Sequence, residues 1–234
     1  MRPTLVDLAF LVVLCVVGPV LDARWFYPRF TRAVAANRPG ARARWYGVML
    51  LAVPWVFTGS VLAMWTIERR PWAALYLRPA RPLGIGLGVG LSVLYAGVLW
   101  WQVRALLKRP DGRERLRRQL ASAGAMMPHT PGERRAFVLV ALTAGICEEV
   151  LFRGFVMWCC VAGTGPIIGV VLSSVLFGIG HVYLGVNQIA RTGLVGLLMA
   201  GIVIVGGSLW PAIVLHAAID VVAGELGYVA FSDQ

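Results

Sequence analysis

Glu148-Glu149-Val150-Leu151-Phe152-Arg153 places three ionisable side chains inside a stretch, residues 132–160, that otherwise reads as a membrane-spanning helix. An ionisable group at bilayer depth costs about 2.5–3.5 kcal/mol on insertion scales, so three in one short segment require a role. Two further apolar segments carry His181 and the pair His216 and Asp220. The buried polar groups therefore form a set distributed over three segments of the second half of the chain.

The rest of the sequence agrees with a bilayer setting. The chain is 59% hydrophobic and only 14% charged, whereas soluble domains are roughly 45–50% apolar and about 25% charged. The apolar residues come in blocks long enough to cross a bilayer, which takes about 20 residues per helix. The short alternating segments of a membrane barrel are not seen. The expectation is an all-α, polytopic transmembrane helical bundle of about seven spans, near residues 4–21, 46–66, 84–103, 132–160, 165–182, 188–206 and 209–230. Pro54 predicts a kink in the second span. Gly84, Gly86, Gly88 and Gly90 predict a face of the third span that packs closely on a neighbour. Val20-Leu21-Asp22-Ala23-Arg24 reads as the end of an uncleaved first span.

The net charge of +11 is unevenly distributed: of 22 basic residues, only Arg153 and Arg191 follow Arg135. The basic residues lie between apolar spans, so membrane topology accounts for them better than nucleic-acid binding does. The connections 22–44 and 104–135 are the most basic, which puts them in the cytoplasm and the N-terminus outside. Residues 104–124 mix leucines with arginines and fit either a helix in the headgroup region or an extension of the third span. The cysteines Cys15, Cys147, Cys159 and Cys160 lack C-x-x-C spacing and read as small buried hydrophobes, although Cys147 adjoins Glu148.

Thr130-Pro131-Gly132-Glu133 has the form of a capping box with Pro at the first helical position, which starts the fourth span near Pro131. A helix from there to Cys160 would be about 45 Å long, too much for one straight crossing, so a bend near Gly145 is expected. Within it Glu149 and Arg153 are four residues apart on one face and can neutralise each other. Glu148 points about 100° away and is free for proton transfer. His216 and Asp220 are also four apart, where a carboxylate can orient an imidazole. His129 lies in a connection and reads as solvated. A carboxylate, two imidazoles and a second carboxylate make an acid/base set. Ser173, Ser174 and Ser208 show no nucleophile elbow, and no His-Glu-x-x-His motif is present. Water activation by Glu148 with an imidazole needs no metal or cofactor, and the same four side chains could instead hold a metal ion.

Glu148-Glu149-x-x-x-Arg153, Phe177-x-x-x-His181 and His216-x-x-x-Asp220 resemble, in order, the three motifs of the CPBP family, intramembrane glutamic endopeptidases related to the type II CAAX prenyl protease. The resemblance covers about residues 128–229. It implies a division into N-terminal transmembrane helices and basic connections (1–127) and a catalytic membrane core (128–234). It implies that Glu148 and His181 activate water, that His216 and Asp220 line an oxyanion hole, and that Glu149 and Arg153 support the site. Many relatives carry Asn where this chain has Asp220. The implied protein is a multi-pass enzyme of the bacterial cytoplasmic membrane that hydrolyses a peptide bond of a membrane-associated protein or peptide. The rival readings are a metal-dependent peptidase at the same residues and a non-catalytic membrane protein, such as an immunity factor or a proton-relay transporter. Phenotype surviving Glu148→Gln would favour the last of these.

Overall fold

Charge and proline decide where the helices of this chain depart from regular geometry. The computed structural model describes residues 1–232. Among them there is no strand; the chain is a bundle of helices joined by short connections. We number these α1 (Leu5–Ala35), α2 (Ala41–Ile67), α3 (Pro82–Leu107), α4 (Gly112–Gln119), α5 (131–164), α6 (Pro166–Gly180), α7 (Val186–Gly206) and α8 (Trp210–Phe231). By length and composition α1, α2, α3, α7 and α8 can each cross a membrane, and α6 is a shorter apolar helix. The protein is a multi-pass integral membrane protein. In α5 the charges of the acidic motif interrupt an otherwise apolar run of spanning length.

Four stretches of π-helix occur among the described residues: Val13–Val17, Asp22–Phe26, Tyr46–Ala52 and Glu149–Val156. The first three each end two residues before a proline, namely Pro19, Pro28 and Pro54. Proline has no N–H to donate and its ring collides with the preceding turn, so a wide π turn accommodates it without breaking the helix. At Pro54 this is how the expected irregularity is realised. The fourth stretch contains no proline, and it holds the acidic motif. The expected irregularity in α5 therefore begins at Glu149 and not at Gly145. Gly145 serves packing: a Cβ there would lie 3.0 Å from the Cβ of Ala217 on α8.

α1 does not end near Arg24 as its sequence suggests but continues through Asp22 to Ala35. It starts at a capping box in which the Thr4 and Asp7 side chains each bond the other's backbone N–H. Asp7, fully buried, also accepts two bonds from Arg70, from Nη1 at 2.9 Å and Nη2 at 2.7 Å. Arg70 in turn bonds Glu68, and its guanidinium lies 4.9 Å from the ring centroids of both Trp65 and Trp158. The acidic residue that interrupts the first apolar run thus ties α1 to the end of α2 and to α5.

α5 and α8 pack along each other, and α3 lies against α7 and α8. Two of the four clustered glycines make the close approach: Gly84 meets the Gly206 backbone, and a Cβ at Gly88 would lie 2.7 Å from the Pro211 carbonyl oxygen. Gly86 and Gly90 face open space. α3 extends through Leu107, after which the chain forms a separate short helix, α4, so only the first residues of the 104–124 segment extend α3. Arg113 and Arg117 of α4 donate to the Ala230 carbonyl at 3.3 and 2.6 Å, and Arg113 also bonds Ser232. These cations cap the C-terminus of α8, where the helix dipole favours positive charge. The two most basic connections lie on the same face of the bundle, joined by Tyr27 Oη to the Ser122 carbonyl (3.2 Å) and Arg42 Nε to the Ala125 carbonyl (3.1 Å).

Removing one member of a buried ion pair costs about 3–5 kcal/mol because the partner charge is left uncompensated. Asp7→Ala and Arg70→Ala should each markedly lower the unfolding temperature in detergent, while the double variant should lose little more than either alone. Additive losses in that cycle would show that the pair contributes nothing as a pair.

Candidate active site

The π stretch of α5 presents Glu149 and Arg153 to the interior. Glu149 is 0% and Arg153 2% exposed, and Arg153 Nη1 donates to Glu149 Oε1 at 2.7 Å. The same Glu149 Oε1 lies 2.7 Å from Nδ1 of His216 on α8. One carboxylate therefore holds both a guanidinium of its own helix and an imidazole of another. The guanidinium carbon of Arg153 also sits 4.0 Å from the centre of the Phe177 ring, on α6. A Cβ on Gly196 of α7 would approach Arg153 Nη2 to 3.3 Å. Arg153 thus sits among α5, α6 and α7.

Phe177 has a second task. Its carbonyl oxygen lies 3.0 Å from Nδ1 of His181, one turn on, and its ring packs edge-on against the imidazoles of His181 (4.8 Å) and His216 (6.2 Å). With Nδ1–H given to the carbonyl, the other ring nitrogen of His181 faces inward. The ring of His216 is fixed in the same way, with Glu149 at Nδ1 and Nε2 free to face the site.

Both free nitrogens converge on Glu148. Oε2 of Glu148 is 3.8 Å from Nε2 of His181 and 3.8 Å from Nε2 of His216. This oxygen is buried and makes no hydrogen bond within the described residues. A separation of 3.8 Å is beyond direct hydrogen bonding and is one that a bridging water spans. Asp220 Oδ2 lies 3.7 Å from Nε2 of His216. Asp220 therefore flanks the working nitrogen of the ring. The residue that orients His216 through a hydrogen bond is Glu149, from another helix, and not Asp220, whose i, i+4 spacing suggested it. All six side chains singled out in the sequence meet at this point.

Glu148 and His181 border a cavity of about 340 Å³. Its wall is mostly apolar, and much of it comes from α1 and α2, including Leu14, Leu21, Met49, Val53 and Phe57. The N-terminal helices, which carry no motif, thus build the space in front of the acidic motif. Two polar wall residues escaped the sequence reading: Asp22 and Tyr183. Asp22 falls in the string Val20-Leu21-Asp22-Ala23-Arg24, which reads as a helix end. Tyr183 sits in the α6–α7 connection and gives no signal of its own.

Breaking the Glu149–Arg153 pair should unlock three helices at once. Arg153→Ala should reduce folded yield and lower the unfolding temperature in detergent, by the ~3–5 kcal/mol typical of a buried charge left alone. A variant as stable as the parent would show that Arg153 does not hold the bundle together.

No curated protein and no solved structure matches this chain. Residues 131–222 match the family model described as type II CAAX prenyl endopeptidase Rce1-like. That segment includes all six site residues, with α5 and α6 whole and α8 as far as Val222. This segment, with its buried Glu-Glu-Arg motif and converging histidines, is similar to the CAAX protease-like family.

Proposed function

We propose that the protein is an intramembrane glutamic-type endopeptidase that cuts a membrane-associated protein or peptide with a water activated by Glu148. The observation that carries this reading is the position of Glu148 Oε2, hydrogen-bond free and equidistant, at 3.8 Å, from two imidazole nitrogens at the edge of an apolar cavity. A water held between Glu148 and His181 faces the cavity in which a peptide would lie.

Glu148 takes a proton from the water as its oxygen attacks the scissile carbonyl carbon. Negative charge moves to the carbonyl oxygen. His216, held at Nδ1 by Glu149, presents Nε2 toward that oxygen and can donate to it when the ring is protonated. Asp220 beside Nε2 sets the local field of that donor. Glu148 then passes its proton to the leaving amine as the C–N bond breaks, which returns the site to its starting state. Glu149 and Arg153 hold the two rings and three helices in register and touch no reacting atom. The membrane in which the protein acts is proposed to be the bacterial cytoplasmic membrane.

Two experiments probe the assignment. Glu148→Gln keeps shape and removes the base. With a peptide substrate and a chelator present, its turnover should fall by about 10²–10⁴-fold while yield and unfolding temperature stay at the parent's values. Near-normal turnover would remove Glu148 from the chemistry, and loss of parent activity on chelation alone would point to a metal-dependent peptidase. Asp220→Asn supplies an amide donor near the oxyanion and should retain part of the rate. Asp220→Ala supplies nothing and should cost about 10²–10³-fold. Equal, parent-like rates for both variants would make Asp220 a bystander.

A further inference from the structure

The cavity in front of Glu148 has four polar side chains in its wall: Glu148, His181, Tyr183 and Asp22. The first two are already placed in the chemistry. Asp22 is not, and it differs from Asp7 and Glu149, which each hold a cationic or imidazole partner at hydrogen-bond distance. Asp7 is paired with Arg70, and Glu149 with Arg153 and His216. Asp22 Oδ1 is buried and has no hydrogen-bond partner among the described residues. Its polar surroundings do not compensate it. The Tyr27 hydroxyl is directed to the Ser122 carbonyl at 3.2 Å. The Tyr183 ring lies stacked between Tyr27 (4.9 Å) and His181 (6.1 Å). His181, within electrostatic reach of Asp22, already has Nδ1 on the Phe177 carbonyl and Nε2 toward Glu148. No Arg or Lys lines the cavity.

A carboxylate oxygen buried in an apolar wall without a hydrogen-bond partner is costly, and a cation that enters the cavity would offset that cost. The wall thus has two carboxylates, one imidazole and no fixed cation, so its charge complements a cation and repels an anion. The π turn that starts at Asp22 places this group in the helix interior of α1, facing the same space as the acidic motif. We infer that Asp22 is a specificity-determining residue that selects substrates presenting a cationic group, a Lys or Arg side chain or a free α-ammonium, next to the scissile bond within an otherwise apolar segment. The inference rests on the peptidase reading for the words "scissile bond", but the recognition itself can be measured without cleavage.

The experiment is a binding selection with full-length Glu148→Gln protein in lipid nanodiscs. The probe is a positional-scanning pool of apolar decapeptides in which each position in turn is Lys, norleucine or Glu, prepared with acetylated and with free N-termini. Lys should be enriched over norleucine at one position, or the free over the acetylated N-terminus, by roughly tenfold to a hundredfold, the usual effect of one charge-assisted contact. The first pattern assigns the cation to a side chain and the second to an α-ammonium. Adding Asp22→Asn, which keeps the shape, should erase the enrichment, and adding Asp22→Lys should transfer it to Glu. Unfolding temperatures of each variant in the same nanodiscs accompany the selection. Absence of any cation enrichment, or enrichment that survives Asp22→Asn, overturns the inference. Cation selection by a parent protein that cuts none of the selected peptides would leave Asp22 as a recognition residue and overturn only the peptidase reading.

Discussion

The contact on which the site depends is the carboxylate of Glu149, which accepts from Arg153 on its own helix and from His216 on α8 at 2.7 Å each. In a low-dielectric interior an unpaired charge is expensive, so each member of a buried pair holds the other in place. That condition couples the elements. Arg153 needs Glu149, the Phe177 face and the space left by Gly196. Phe177 in turn holds His181 by its carbonyl. His216 cannot turn without giving up Glu149. The two rings are thereby aimed at Glu148, whose Oε2 has no hydrogen-bond partner among the described residues.

Helix irregularity contributes to the same end. Three π stretches are explained by the prolines that follow them, and they lie in α1 and α2, which wall the cavity. The stretch at Glu149–Val156 has no such cause. A wide turn there changes which residues of α5 face inward, so Glu149, Arg153 and the flanking Val150 and Phe155 are all buried at once. π turns recur at functional sites because they re-aim side chains without ending a helix. In this protein the wide turn begins next to the residue that faces both imidazoles.

Division of labour between the halves of the chain follows from charge. The second half carries the acid/base groups, and after Arg135 its only basic residues are Arg153 and Arg191. The first half carries most of the basic residues, at its connections, and contributes an apolar wall broken by one carboxylate, Asp22. The arginines of α4 do not simply decorate a surface; two of them close the C-terminal end of α8, the helix on which His216 and Asp220 ride.

Sequence alone determined a good deal here. Apolar length identified helices that cross a membrane, and the Thr130–Glu133 capping box located the start of α5. Spacing of four residues placed Glu149 with Arg153 on one face, because i, i+4 contacts are local and survive even a widened turn. The same rule misled at Asp220 and His216, where a local neighbour suggested the orienting partner and a residue of another helix holds it. It also failed at Asp22, whose polar character read as a helix end. Both outcomes have one physical reason. Periodicity reports which side of a helix a residue occupies, but the partner across an interface depends on how helices are rotated and spaced against each other. Only the packing of α1, α2, α5, α6 and α8 decided that Glu149 reaches His216, that both imidazoles converge on Glu148, and that the motif-free N-terminal helices form the cavity those groups face.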